Sequence, residues 1–343
     1  MSVAPERIHD DRGVRGWRSF LAWFDAGSAS IDGADAEGID WARIIPFVGM
    51  HLACLMVIWV GWSPVAVLVA VLSYVLRMFA ITGFYHRYFS HRSFKTSRVA
   101  QFMFALLGAT AVQRGPVWWA AHHRHHHAFS DQHADPHSPS QHGFIRAHMG
   151  WFLINKGFSP DLSRVRDLLR FPELRWLDRF DILAPVAYAV SLSAFGRVLN
   201  HYAPGLHTSG LQMLAWGFFI STVVCYHGTY TINSLAHVFG RQRYDTGDDS
   251  RNNWLLALIT LGEGWHNNHH HYPASTRQGF FWWEIDVTYY LLKLLSVFGI
   301  IWDLKPVPAH VRADIAQAAV PTDALNDVMG DVMGDAMTSE HSR

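Results

Sequence analysis

Residues 65–91, VAVLVAVLSYVLRMFAITGFYHRYFSH, join a long apolar run directly to a pair of histidines. The run from 65 to 85 contains a single charged residue, Arg77. About 20 apolar residues are enough for a helix to cross the hydrocarbon core of a bilayer. The stretch therefore predicts a membrane helix that brings the imidazoles of His86 and His91 to the membrane surface.

Three further apolar runs have a similar length and cover about 44–62, 182–199 and 211–236. The run at 44–62 is separated from the one at 65–85 by a short turn, and the other two also follow each other closely. We therefore expect an all-α integral membrane protein, with four transmembrane helices in two hairpins and a helical cap on one side. The expected division is an N-terminal segment at 1–43, a membrane domain at 44–305 and a disordered tail at 306–343.

The distribution of charge predicts the orientation in the membrane. Residues 86–180 carry 13 Lys or Arg, and residues 1–43 carry several more, whereas the turn between the first two spans has none. Cytoplasmic segments are enriched in basic residues, so both termini and the cap are expected in the cytoplasm. The preference for Arg over Lys is typical of a GC-rich bacterial genome, and the expected location is a bacterial inner membrane. A formal net charge of zero gives no sign of nucleic-acid binding.

Cysteine chemistry is not expected to carry the function. The two cysteines, Cys54 and Cys225, both lie inside apolar runs. Their number excludes a disulfide framework, and their separation excludes a paired zinc motif.

Histidines cluster in three motifs: HRYFSH at 86–91, HHRHHH at 122–127 and HNNHHH at 266–271. In the second and third motifs, spacings of i, i+3 and i+4 place three imidazoles on one helix face. The i, i+5 spacing of the first does not fit an α-helix, so we expect the helix to end near Phe89 and Ser90. Imidazole suits iron, copper, nickel and zinc, and so many ligands exceed what one ion can hold. The clusters therefore predict a site for two metal ions.

The three motifs, with NSLAH at 233–237 and GEGWHNNHH at 262–270, resemble those of the membrane fatty-acyl desaturases, in particular the delta-9, stearoyl-CoA desaturase type. The resemblance covers roughly residues 44–305. It implies a cytosolic diiron centre that uses dioxygen to insert a cis double bond into the acyl chain of an acyl-CoA or an acyl-lipid. The metal ligands that it implies, with Asn233 binding through water, are His86, His91, His123, His126, His127, His237, His266, His269, His270 and Asn233.

Other residues are assigned supporting roles. A ligating imidazole usually donates its outer N–H to an acceptor, which makes Asp135 and Glu263 candidates for that role. The extra histidines His122, His125 and His271 are expected to lie beside the ligands or at the surface. The resemblance also implies that a substrate tunnel is lined by Tyr74 and Met78 at its closed end and by Gln113, Trp119 and Thr229 near its bend.

The expected partners follow from what the sequence contains and lacks. It has no dinucleotide fingerprint, haem motif or cysteine-ligated iron–sulfur pattern, so a separate ferredoxin- or cytochrome-type donor with a reductase must supply electrons. At the positions where the family contacts the acyl-CoA headgroup with an Arg-Asp pair, this chain has Ala121 and His122. Because of that departure, the sequence does not decide whether the acyl chain is bound to coenzyme A or to a lipid.

Two other classes of protein remain alternatives. A hydroxylase of the same superfamily, acting on an alkane or a lipid chain, would use the same metal site. A metal transporter would need carboxylates or histidines along a path through the spans. The runs at 44–62, 182–199 and 211–236 contain no Asp or Glu, which argues against transport.

Overall fold

The computed structural model describes residues 21, 23–26, 38–39 and 41–313. Within these residues the protein is mainly helical, as predicted. Most of the N-terminal segment 1–43 and residues 314–343 of the predicted disordered tail lie outside the described residues. Residues 309–313 of that tail form a short helix.

The first half of the chain supplies two long helices and two shorter ones. Helix α1 (Trp41–Ala53) continues through the short segments Cys54–Met56 and Val57–Val60. Helix α2 (Pro64–Phe79) continues without a break as a π-helix, Ala80–Ser90. Helices α3 (Arg98–Ala109) and α4 (Pro116–Phe129) follow. The short helical segments that come next are Pro139–His142, Arg146–Gly150, Trp151–Leu153, Asn155–Phe158, Leu162–Val165 and Arg166–Leu169.

The second half contains α5 (Pro172–Arg179), α6 (Leu183–Tyr202), α7 (Ser221–Asn233), α8 (Trp254–Ile259), α9 (His266–His271) and α10 (Val287–Val297). Short segments at Pro204–Leu206, Gly210–Gln212, Met213–Ile220, Leu235–His237 and Ala309–Ala313 complete it. The expectation of an all-α fold needs one small correction. Strands β1 (Lys95–Thr96) and β2 (Ile301–Trp302) form an antiparallel pair with Lys95 opposite Trp302. An ion pair between Lys95 and Asp303 at 2.7 Å lies beside this pair.

The helix Pro64–Ser90 is the part of the described chain that is long and apolar enough to cross a membrane unaided. The helices α5 and α6 form a second candidate if they count as one span, although they are bent by 69°. The helix Ile44–Val60 is apolar but shorter. Helices therefore occupy the four predicted stretches, and one of them has the length and composition of a span by itself.

Helix α2 begins with two of the usual start signals. Pro64 takes the first helical position, and the Ser63 hydroxyl accepts the Ala66 N–H at 3.1 Å. Farther along, Arg77 is fully buried and donates to the hydroxyls of Ser221 and Thr222 on α7. A buried guanidinium is tolerated only when its donors are satisfied. These bonds therefore fix α2 against α7.

Helix α4 is held at both ends by side-chain hydrogen bonds to other parts of the chain. At its start, Asp178 accepts the N–H groups of Val117 and Trp118 at 3.0 and 2.9 Å. In its last two turns, Arg124 donates to the carbonyls of Phe89 and Ser90 at 2.8 and 2.9 Å. Those carbonyls end the π-helix and would otherwise lack partners. Arg124 therefore sets the position of the second histidine motif relative to the first.

Candidate metal centre

Nine histidines from four parts of the chain meet beside the end of the π-helix. Their candidate ligand atoms form two sets, and within each set all of these atoms lie within 4.8 Å of one another. The larger set contains His86, His91, His123, His127 and His269. The smaller set contains His126, His237, His266 and His270. The sets adjoin, because the rings of His127 and His270 stack at 4.5 Å.

The spacing of the nitrogens fits metal ligands better than hydrogen bonds. The Nε2 atom of His269 lies 3.0 Å from that of His86 and 2.9 Å from that of His127. One Nε2 proton cannot serve both contacts. Two imidazole nitrogens about 2.1 Å from one ion and separated by 90–110° lie about 3.0–3.4 Å apart. The residues present therefore fit a bound metal ion in the larger set.

The smaller set has the same character. The Nε2 atoms of His237 and His266 are 3.1 Å apart. The Nε2 of His270 is buried and has no hydrogen-bond partner among the described residues. Buried polar atoms are nearly always paired, so this nitrogen indicates a partner that accepts its lone pair. A metal ion is such a partner.

Carboxylates hold the outer nitrogens of four of these rings. Asp135 accepts the Nδ1–H of His126 at 2.9 Å, and Glu263 contacts the Nδ1 of His86. These are the two carboxylates that the sequence suggested. An N–H donated outward from Nδ1 leaves the Nε2 lone pair of the same ring facing the interior.

Two further carboxylates do the same and were missed by the sequence reasoning. Asp131 accepts the Nδ1–H of His237 at 2.7 Å, and Asp248 accepts that of His270 at 2.6 Å. Asp131 lies four residues after His127, so its position just beyond the second motif was an available signal. Asp248 lies in the loop before α8, about 20 residues from the ring it contacts, and no sequence pattern marks it.

The electrostatic state of the site follows from burial and these contacts. Burial, and then the neighbouring imidazoles, lowers the pKa of His123, His127 and His269, so these rings are neutral and able to bind a metal. Burial alone would raise the pKa of Glu263, but His86 and Arg87 outweigh it and hold that pKa at about 2. The carboxylate is therefore ionised throughout the physiological range.

Arg87 ties the first motif to the third. Its side chain is 1% exposed and donates to Glu263 at 2.9 Å and to Asp286 at 3.0 Å. It also donates to the carbonyl of Thr276 at 2.9 Å. Because Glu263 also contacts His86, Arg87 supports a metal-facing ring through one intermediate residue. Arg87 was not among the predicted site residues.

The other histidines among the described residues lie outside both sets. His122 packs between Trp118 and Trp151, His125 contacts the carbonyl of Ala134, and His271 stacks on Tyr244. This placement agrees with the expectation that these three lie beside the ligands or at the surface. A separate chain of contacts links His51, His227, His148 and the Ser234 hydroxyl at 3.2, 3.0 and 2.9 Å.

An apolar cavity of about 590 Å³ adjoins the larger set at His123. Three of the predicted tunnel residues line it together: Gln113 donates to the Thr229 hydroxyl at 2.9 Å and accepts the Trp119 indole N–H at 3.4 Å. Asn233 also lines it. Its volume is within the range of about 300–1,000 Å³ that is usual for ligand cavities.

Tyr74 and Met78, the predicted closed end of the tunnel, do not line this cavity. Met78 is fully buried against Cys225 and Leu261, and the Tyr74 hydroxyl donates to the carbonyl of Ile259. They nevertheless share a neighbour, because a methyl group added at Gly228 would contact both. Their influence on chain length stays a prediction.

The fold and the site define a helical protein with a multi-histidine site able to hold metal ions beside an apolar cavity. Residues 57–297 match the pattern of the fatty acid desaturase family. The chain belongs to this family and is an oxidoreductase.

Three curated relatives are similar over most of the chain. An acyl-CoA 5-desaturase of Anemone leveillei is 38% identical over 276 residues, which is 79% of this chain and 81% of the relative. A palmitoyl-monogalactosyldiacylglycerol delta-7 desaturase of Arabidopsis thaliana is 37% identical, covering 78% and 70%. An sn-1 stearoyl-lipid 9-desaturase of Anabaena variabilis is 36% identical, covering 78% and 94%.

Proposed function

We propose that this desaturase introduces a cis double bond at the delta-9 position of a saturated acyl chain, at a centre of two iron ions held by its nine clustered histidines. The observation that carries the proposal is the division of those histidines into adjoining sets of five and four. Asn233 is proposed to contribute through water, since it lines the cavity next to His123.

The chemistry requires removal of hydrogens from two adjacent unactivated methylenes, with dioxygen and two external electrons. The bound irons would supply the oxidising power, which no side chain in the protein has. The chain's own residues orient the metal-binding rings, position the substrate and exclude water. Asp131, Asp135, Asp248 and Glu263 each keep one ring in the tautomer that presents a lone pair inward. The four rings, in the same order, are those of His237, His126, His270 and His86.

On the substrate side, the contacts of Gln113 with Thr229 and Trp119 are proposed to fix the wall of the cavity where it meets the site. A wall that cannot shift holds two particular methylenes next to the irons. The apolar lining keeps water away from the reacting carbons.

The proposed topology is four spans, with both termini and the metal centre on the cytoplasmic side of a bacterial inner membrane. The basic residues of 86–180 support that side. Residues 44–305 would form the catalytic domain, 1–43 a cytosolic segment and 306–343 a tail. A ferredoxin- or cytochrome-type protein would deliver electrons at the cytosolic face.

The substrate is proposed to be an acyl-CoA or an acyl-lipid, since the relatives named above include desaturases of both kinds. The delta-9 position is supported by the similarity to the stearoyl-lipid 9-desaturase, 94% of whose length is covered. The relatives whose names give position 5 or 7 are the competing outcomes.

Expression in a host that requires unsaturated fatty acids tests this proposal. We expect growth without the supplement, a monounsaturated product with its double bond at carbon 9 by mass spectrometry, and about two irons per purified chain. His126→Ala should abolish the product, whereas His201→Ala, at the far end of α6, should not. A double bond at another carbon would refute the delta-9 position, and no double bond would refute desaturation.

A further inference from the structure

The cavity beside the metal centre reaches the outer face of α6. It begins at His123 and Asn233 and extends between α1, α6 and α7. Val186 and Val190 line it and are also 51% and 62% exposed. A residue that is both a cavity wall and an outer surface marks the mouth of that cavity. The mouth therefore lies on the side of the helical bundle.

The surface around this mouth is apolar. Leu183, Phe195 and Val198 are exposed on the same helix, and the neighbouring α1 exposes Leu52. A continuous exposed apolar surface on helices of a membrane-bound enzyme contacts lipid chains rather than water. An acyl chain in the membrane would thus meet the mouth directly.

The lining offers nothing that would bind a highly charged carrier. Apart from three histidines, the acidic and basic side chains among the described residues that line the cavity are Arg114 and Asp181, and these two form an ion pair at 3.0 Å. Phosphate groups such as those of coenzyme A are recognised by free Arg or Lys side chains. An uncharged acyl chain has no charged group to remove from water when it enters such a cavity.

We propose that the acyl chain enters sideways from the bilayer through the mouth formed by Val186 and Val190, and that the substrate is a membrane glycerolipid rather than an acyl-CoA. This inference rests on the proposed desaturase function and narrows its substrate class. The headgroup and glycerol stay at the membrane surface while one acyl chain reaches the metal centre.

Photolabelling tests the route without relying on turnover. The full-length protein in phosphatidylcholine nanodiscs would be exposed to a stearoyl chain carrying a diazirine, esterified either to phosphatidylcholine or to coenzyme A. We expect the lipid probe to label peptides that contain the cavity residues Phe47 or Phe218. Labelling from the thioester probe with none from the lipid probe would overturn the proposal.

Two variants and a matched control sharpen the result. Val190→Trp and Val186→Trp should each reduce labelling by the lipid probe about tenfold, because an indole fills a passage that a valine leaves open. Val198→Trp places the same ring on the same exposed helix but outside the cavity, and should leave labelling unchanged. Equal labelling in all three would overturn the route.

The thermal midpoint and the iron content of each variant distinguish a blocked passage from a misfolded protein. The route is judged on the mouth variant whose thermal midpoint and iron content both equal those of the wild type. Product analysis on the same nanodiscs, with an electron donor and dioxygen, is a separate measurement. Normal labelling without any double bond would refute the desaturase function and leave the route standing. A double bond formed only in the thioester would refute the route and leave the desaturase function standing.

Discussion

Replacing Asp131 by Asn should weaken the binding of one of the two proposed metal ions and leave the binding of the other unchanged. The Asp131 carboxylate accepts the Nδ1–H of His237 at 2.7 Å and the backbone N–H of Asp249 at 2.9 Å on one oxygen. Its other oxygen accepts the Ser138 hydroxyl at 2.6 Å. An amide keeps the shape but loses the charge, and it must turn its NH₂ group toward one of these donors. Burial would raise the pKa of Asp131, yet the contact with His237 holds that pKa at about 2, so the charge is present at neutral pH.

The size of the effect can be set from the position of the residue. Removing the outer partner of a metal-binding histidine lowers metal affinity by about 10–100-fold. That range corresponds to about 1.4–2.7 kcal/mol. His237 belongs only to the set of four histidines, so the ion held by the other five should keep its affinity. We therefore expect iron to be lost in two separate steps.

Dialysis of the purified enzyme against increasing chelator concentrations, followed by iron analysis, measures this directly. Asp161→Asn is the control, because the Asp161 side chain pairs with Ser163 and Arg164 and contacts none of the nine clustered histidines. Wild type and the control should lose iron at the same chelator concentration, and Asp131→Asn should lose about one ion at a concentration 10–100-fold lower. Retention of both ions at the wild-type concentration would refute the reasoning.

Three further predictions follow. Arg124→Gln should lower the thermal midpoint and the iron content together, because the carbonyls that end the π-helix lose their donor. Arg175→Gln, at an exposed position, is the control. An unchanged midpoint in Arg124→Gln would contradict the positioning role of Arg124. Met78→Ala should lengthen the accepted acyl chain, because it opens space next to Gly228. Gas chromatography of the products measures this, and Leu72→Ala, exposed on the same helix, should leave the chain length unchanged. An unchanged product profile in Met78→Ala would refute the prediction. Complete removal of metal should lower the thermal midpoint at neutral pH, because a metal that binds only the folded state stabilises it; a midpoint unaffected by chelator would argue against a bound ion.

The helical class and the histidine motifs were readable from the sequence because both depend on local patterns. Apolar runs mark the helices, and the i, i+3, i+4 spacing of His123, His126 and His127 marks one face of α4. The convergence of His237 with those rings was not readable from spacing. It depends on how α7 packs, which the buried Arg77 and its partners on α7 determine.

The first motif shows where local reasoning fails. The helix ends at Ser90, as the i, i+5 spacing of His86 and His91 suggested, but its last 11 residues, Ala80–Ser90, have π rather than α hydrogen bonding. The His91 N–H bonds to the carbonyl of His86 at 3.2 Å, which is the i+5 pattern of a π-helix. The calculation from the sequence assumed α winding, whereas Arg124 stabilises the end of a π-helix by donating to its last two carbonyls. The mouth of the cavity at Val190 likewise depends on helix packing and left no pattern in the sequence.

The wide turns of residues 80–90 also make the number of residues there as important as their identity. A single deletion in this segment would turn everything beyond it by about 100° around the helix axis. His91 would then face away from His123, 2.7 Å from it in the intact protein, although no histidine had been changed. Insertions and deletions that arise during divergence are therefore expected to be eliminated from the continuous helix Pro64–Ser90 and tolerated in the turn that precedes it.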